Sequence, residues 1–213
     1  MNTILAGKHN GLQQKYESAK TKNLSVLKVC LSAPTIILML FIVSCVVNAE
    51  SLPNPKLQAV SAEYMTGTGD MHGVRLAYRP SFNKDLDLPV IGDLRLSWEA
   101  SINLFDLHGS AKTETTYGAS ITPVFTKALP SWSNQYPLSL EFGIGVAYVH
   151  DEKFGGVDIG SDYQFEDRIG LLVGLDPEQN SELILRYIHY SNGGFNTQNP
   201  GLDYISLTYL KRF

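Results

Sequence analysis

From residue 56 to the C-terminus the chain alternates apolar and polar side chains with a period of two. Successive side chains of a β-strand point to opposite faces, so this pattern predicts strands rather than helices. It is clearest over 94–104. There Leu94, Leu96, Trp98, Ala100, Ile102 and Leu104 share one parity, and Arg95, Ser97, Glu99, Ser101 and Asn103 share the other. A second clear run sets Leu138, Leu140, Phe142, Ile144, Val146 and Tyr148 against Ser139, Glu141, Gly143, Gly145 and Ala147. Eight such segments are expected, at about 56–67, 73–82, 93–106, 112–127, 137–150, 162–175, 181–192 and 202–213. Turn-forming pieces separate them, among them Gly67–Asp70, Asn83–Asp85, Leu129–Pro137, Phe154–Gly156 and Asp176–Asn180. No second domain, linker or low-complexity tract breaks the series.

Eight alternating strands make either a soluble lipocalin-like barrel or a membrane barrel. The polar parity separates the two. It carries Glu63, Arg75, Arg79, Arg95, Glu99, Glu141, Glu166, Arg168, Glu182 and Arg186 with small residues between them, a set suited to an interior of paired charges. The opposite parity is a band of Leu, Ile, Val and aromatics, which suits contact with lipid. Phe213 ends the chain on the parity of Leu207 and Tyr209, resembling the terminal aromatic of outer-membrane proteins. The expected fold is all-β: an eight-stranded antiparallel transmembrane β-barrel over 50–213. A closed barrel is the strand-built way to satisfy every backbone polar group in a bilayer. With both termini in the periplasm, the segment 193–201 lies outside the cell.

The first 49 residues read as an export leader. Lys8, Lys15, Lys20, Lys22 and Lys28 precede an apolar run from Ile36 to Val47, and Val47-Asn48-Ala49 suits signal peptidase, with cleavage before Glu50. An uncleaved anchor is the lesser alternative, because the run falls short of the ~20 residues that a spanning helix needs. Ile42-Val43-Ser44-Cys45 also resembles a lipoprotein box, and it ranks below ordinary cleavage. Both cysteines of the chain, Cys30 and Cys45, lie in the leader, so the mature part has neither a disulfide nor a thiol nucleophile. Removing the leader takes away five lysines and one glutamate, and the net charge moves from −4 to about −8. So acidic a chain is not expected to bind nucleic acid.

Chemistry concentrates near the C-terminus. On the seventh segment Leu183, Leu185, Tyr187, His189 and Ser191 share the lipid parity; on the eighth, Asp203 shares it with Ile205, Leu207, Tyr209 and Phe213. A base and the nucleophile it activates must be neighbours, and i, i+2 spacing on a strand makes them so. Charged groups are costly against lipid, ~2–4 kcal/mol at the midplane for basic residues and ~0–1 kcal/mol near the interface. Three polar groups grouped at the outer strand ends therefore ask for a reason. Two registers are open. If Asp203 faces Ser191, it lies on a ~7–8 Å diagonal from His189. If the register shifts by two, it faces His189 directly. Asn192 and the amides of Gly193 and Gly194 follow the serine and can donate to an oxyanion.

These residues resemble the outer-membrane lipid A 3-O-deacylase family, also described as lipid A deacylases and acyloxyacyl hydrolase-like enzymes. The specific part is His189-Tyr190-Ser191-Asn192 followed by Gly193-Gly194, with Asp203 twelve residues beyond the serine, where the family usually has Glu. The resemblance implies a serine esterase that hydrolyses the 3-position ester-linked acyl chain of lipid A in the lipopolysaccharide of the outer leaflet. It implies Ser191, His189 and Asp203 as catalytic residues and Asn192 and Gly194 as the oxyanion hole. Asp167, on the lipid parity of the sixth segment, is a rival acid or a pocket residue, and Phe165 is a candidate wall for the acyl chain. No metal or organic cofactor is expected. The expected partners are the lipid A substrate and outer-membrane lipids, with a homodimer left open. His72, His108 and His150 lack metal-ligand spacing and are expected to be solvated. The alternatives are a non-catalytic small barrel and another lipid esterase, phospholipase or acyltransferase on the same fold.

Overall fold

The computed structural model describes residues 58–67, 69–108, 113–130, 135–154 and 156–213. The leader reading falls outside them. Among the described residues the regular structure is all strand: β1 (Ala59–Gly67), β2 (Met71–Arg79), β3 (Asn83–Leu88), β4 (Gly92–His108), β5 (Thr113–Leu129), β6 (Leu138–Val149), β7 (Lys153–Phe154), β8 (Val157–Asp158), β9 (Tyr163–Gly174), β10 (Ser181–Ser191) and β11 (Leu202–Arg212). Antiparallel pairing runs β1-β2-β4-β5-β6-β9-β10-β11, and β11 returns to β1. This closes an eight-stranded barrel and leaves none of its strands with an open edge.

Two features depart from the expected segments. Asn83–Asp85, expected as a turn, lies in β3. β3 continues β2 along the same edge of β4, because Tyr78 pairs with Ala100 and Asn83 with Ser97. Residues 79–82 thus lie opposite only 98 and 99, and Pro80 sits in the bulge, where its missing N–H costs no ladder bond. β3 does alternate, Leu86 and Leu88 against Asp85 and Asp87, but the run is short and both of its faces are largely exposed. β7 and β8 form a miniature hairpin within the 149–163 connection.

The outward parity is as expected over most of the wall, but Leu94, on that parity, is buried at 1 % exposure. Val74, Leu76, Ile102, Leu104, Ile121, Ile144, Leu185, Ile205 and Leu207 are exposed, as a lipid-facing band requires. The lumen is filled in layers. At mid-height four arginines and four glutamates interlock. Arg75 spans Glu166 (2.8 Å) and Glu99 (3.0 Å); Arg79 spans Glu99 (2.7 Å) and Glu141 (2.9 Å); Arg168 meets Glu99 at 2.6 Å; Arg186 meets Glu63 at 2.7 Å and also Glu141. Thr122 and the Tyr190 hydroxyl each donate to Glu166 at 2.9 Å. Above this layer, toward the 191–202 loop, the lumen is apolar: Met65, Met71, Phe105, Ile188, Tyr190 and Tyr204 pack together beneath Phe154, Val157 and Ile159 of the long loop. Below it, Ala59, Leu172, Ile184 and Leu210 form a second apolar layer. Paired charges fill the middle of the barrel, and apolar side chains close it toward both ends. Arg95, expected in the lumen, pairs instead with Asp85 of β3 at 2.7 Å, where β3 and the start of β4 run beyond β2.

Candidate active site

Strands β6, β9, β10 and β11 lie side by side, and their registers arrange the lipid face in rows. Tyr148 pairs with Tyr163 in the outermost row. The next row is Val146–Phe165–Ser191, the next Ile144–Asp167–His189–Asp203, and the next Phe142–Ile169–Tyr187–Ile205. Leucines and Tyr209 continue toward the other end. Ser191 to Leu183 is eight residues of strand, or about 20 Å of membrane depth at a rise of ~3.4 Å and a tilt near 40°. The polar groups therefore sit near the outer boundary of the hydrocarbon, Ser191 one row and Asp167, His189 and Asp203 two rows inside an exposed tyrosine pair.

The register realised is the one that sets Asp203 directly opposite His189. Asp203 Oδ1 lies 2.6 Å from His189 Nδ1, a charge-assisted contact that leaves Nε2 as the second functional nitrogen of the ring. The two side chains are 31 % and 20 % exposed, so both are partly withdrawn from their surroundings yet reachable from the membrane. The Tyr187 hydroxyl donates to the same Asp203 oxygen at 2.7 Å. Ser191 ends β10 two residues beyond His189 on the same face. Asp167 pairs with His189 from the other side, on β9, so the imidazole stands between two carboxylate-bearing strands. Phe165 is the cross-strand neighbour of Ser191, and its ring packs against Phe195 at 6.1 Å.

Asn192 points the other way. It is buried, and its side-chain amide donates to the carbonyls of Gln198 (2.6 Å) and Ile159 (3.2 Å). Its Oδ1 accepts from Gly194 N–H at 3.0 Å, and its own N–H donates to Asn199 Oδ1 at 3.1 Å. Asn192 thus ties the loop after the serine to the 149–163 connection, and Asn196 adds a bond to the Gly160 carbonyl. Gly193 and Gly194 both have positive φ, 65° and 80°, a conformation that side-chain-bearing residues seldom adopt. A Cβ on Gly193 would come within 2.8 Å of the Phe165 ring, whereas Gly194 faces open space. Gly201 packs against the imidazole itself: a Cβ there would stand 2.7 Å from His189 Cε1.

Two grooves mark the lipid face. One, of about 400 Å³, is lined by Phe142, Ile144 and Ile169 with Tyr187 and Asp167, the cross-strand neighbour of His189. The other, of about 410 Å³, lies on β2, β4, β5 and β6, with neither a histidine nor a carboxylate in its lining. Of the remaining histidines, His72 meets the Tyr64 hydroxyl at 2.9 Å and His150 stacks on Tyr117 at 4.4 Å. No group of three or more potential metal-ligating side chains occurs among the described residues.

The model of the lipid A 3-O-deacylase (PagL) family matches residues 72–212, from β2 through the whole of the site. This chain belongs to the lipid A 3-O-deacylase family. It is 35 % identical over 122 residues to the lipid A deacylase PagL of Bordetella bronchiseptica, an alignment covering 57 % of this chain and 65 % of that protein. It is 34 % identical over 118 residues to lipid A deacylase PagL of Pseudomonas aeruginosa, covering 55 % and 65 %. The chain thus spans just under two thirds of the length of the curated relatives it matches. Among solved structures it is similar to the outer membrane enzyme PagL, with a TM-score of 0.58 and 27 % identity, over 72 % of this chain and 98 % of that one. Family membership and the closed barrel with its apolar belt identify the chain as an outer-membrane β-barrel.

Sequence parity located Ser191, His189, Asp203, Asp167 and Phe165 on one patch of one wall. It missed Tyr187, read only as part of the apolar lipid face, and Gly201. The signal for Tyr187 was its position, i−2 to His189 on the same parity. Gly201 carries no local signal, because what it touches is set by the fold of the loop.

Proposed function

We propose that this chain, exported by a leader spanning residues 1–49, is a serine esterase that removes the 3-O-linked acyl chain of lipid A in the outer leaflet. The observation that carries this reading is the 2.6 Å contact of Asp203 with His189 Nδ1, on the lipid face, with Ser191 two residues along the same strand. Asp203 orients the imidazole and stabilises its protonated form. His189 Nε2 takes the proton of Ser191 Oγ as that oxygen attacks the ester carbonyl. The tetrahedral intermediate collapses, its C–O bond to the sugar breaks, and His189 returns the proton to the departing sugar oxygen. Water, activated by the same histidine, then attacks the acyl-serine and releases the fatty acid.

The oxyanion is assigned to the loop Asn192–Gly194. The Asn192 side chain is committed to holding that loop, so its part is architectural, and the donors are backbone amides of the Gly193–Gly194 turn. Gly194 N–H is bonded at rest to Asn192 Oδ1, so presenting it to the oxyanion takes a rotation of the Gly193–Gly194 peptide that breaks this bond. The acyl chain lies along Phe165 and the groove of Phe142, Ile144 and Ile169, parallel to the lipid chains around it. The depth of the patch suits the substrate: lipid A esters sit where headgroup meets hydrocarbon.

The test is mass spectrometry of lipid A from cells producing wild-type protein or Ser191→Ala. Wild type removes one acyl chain and the variant leaves it in place. Equal deacylation by both rejects the assignment.

A further inference from the structure

Tyr187 stands one row closer to the membrane centre than His189, on the same face of β10. Its own cross-strand neighbours are Ile205 and Ile169, yet its hydroxyl does not turn to lipid. It reaches along the strand to Asp203 Oδ1 at 2.7 Å, the oxygen that also meets His189 Nδ1 at 2.6 Å. One carboxylate oxygen thus receives donors from positions i and i+2 of a single strand. This has two physical consequences. A carboxylate facing hydrocarbon has little water to solvate it, so a fixed hydroxyl lowers the cost of keeping it there as an anion. Two donors on one oxygen also lock the rotation of the carboxylate, and with it the ring that leans on it.

We infer that Tyr187 is a positioning residue of the deacylase reaction: its hydroxyl holds the Asp203 carboxylate in the orientation that aims His189 Nε2 at Ser191. The inference rests on the Ser191–His189–Asp203 reading above. Tyr187 also lines the apolar groove, and that role would make it a binding residue instead. Tyr187→Phe separates the two, because it keeps the ring in the groove and removes only the hydroxyl.

The experiment is a double-mutant cycle in the full-length, folded barrel: wild type, Tyr187→Phe, Asp203→Ala and the double variant, each assayed on lipid A in detergent micelles with prolonged incubation for the slow forms. Tyr187→Phe is expected to lower kcat roughly ten- to a hundredfold with KM unchanged, the range for one hydrogen bond to a charged group. In the Asp203→Ala background the same change is expected to cost nothing further, since the group it acts through is gone. An unchanged kcat for Tyr187→Phe overturns the proposal. So does a raised KM at constant kcat, or a loss that recurs in full in the Asp203→Ala background. If Asp203→Ala alone retains full kcat, the acid of the triad is wrong and the proposal falls with it, a result distinct from the others.

Discussion

In the proposed active site, residues that do no chemistry set where the imidazole stands. Gly201 shows this most directly. Its φ of 69° suits glycine, and a Cβ would intrude 2.7 Å from His189 Cε1 and 3.2 Å from the Tyr190 carbonyl. Gly201→Ala is therefore expected to displace the imidazole without opening the barrel. A shift of about 1 Å in a catalytic group can cost ~100-fold in rate. The expected outcome is a kcat lower by one to two orders of magnitude, with the folded band on an unheated SDS gel retained. Wild-type kcat in Gly201→Ala would show that the ring has room to spare. At this scale Ser191 and His189 were legible, because parity along one strand is a local property. Gly201 and the inward turn of Asn192 were not, because each depends on where a loop folds back.

Among the strands, the decisive quantity is the register of β10 against its two neighbours. His189 is flanked by Asp203 on β11 and Asp167 on β9, two carboxylates that the alternation pattern leaves as rivals. Nδ1 has its hydrogen-bond partner in Asp203. Asp203→Ala is accordingly expected to lower kcat on the order of 10³–10⁴-fold, as loss of the orienting acid does in a triad. Asp167→Ala is expected to lower it by about tenfold or less, acting through the groove that Asp167 borders. Comparing the two variants on the same lipid A preparation decides the assignment, and the reverse order of effects would move the acid to β9. The strand ends were less legible. The start of β3, Asn83–Asp85, was expected as a turn, because its composition is turn-forming and the Leu86–Leu88 alternation after it is too short to announce a strand.

The whole molecule rests on its interior. Glu99 accepts from Arg75 at 3.0 Å, Arg79 at 2.7 Å and Arg168 at 2.6 Å, all from inside the closed wall. Removing one partner from a buried ionic cluster leaves charges unpaired, at a cost of about 3–5 kcal/mol. Glu99→Ala is expected to lower unfolding stability in micelles by that amount, measured by urea titration, while a lipid-face change such as Leu185→Val stays within about 1 kcal/mol. Equal stability of Glu99→Ala and wild type would mean that the network adds nothing. The ionic middle was readable from the polar parity, since charges that alternate with a lipid-facing band have nowhere else to point. The apolar layers above and below it were not.

The sequence by itself determined the class of the fold, the number of barrel strands and the face of most strand residues, because a two-residue period is set by the backbone of a strand alone. It also set His189, Ser191 and Asp203 on the lipid side, and so pointed to a membrane lipid as the thing acted on. Only the tertiary structure decided which carboxylate meets the imidazole, that Tyr187 shares that carboxylate, that Asn192 serves the loop, and how the lumen is layered. Those depend on shear between strands and on barrel closure, which couple residues that no local pattern links. The contact between His189 and Asp203 exists because the β10–β11 hairpin holds one register, and a slip of two residues would have placed Asp203 beside Ser191 instead.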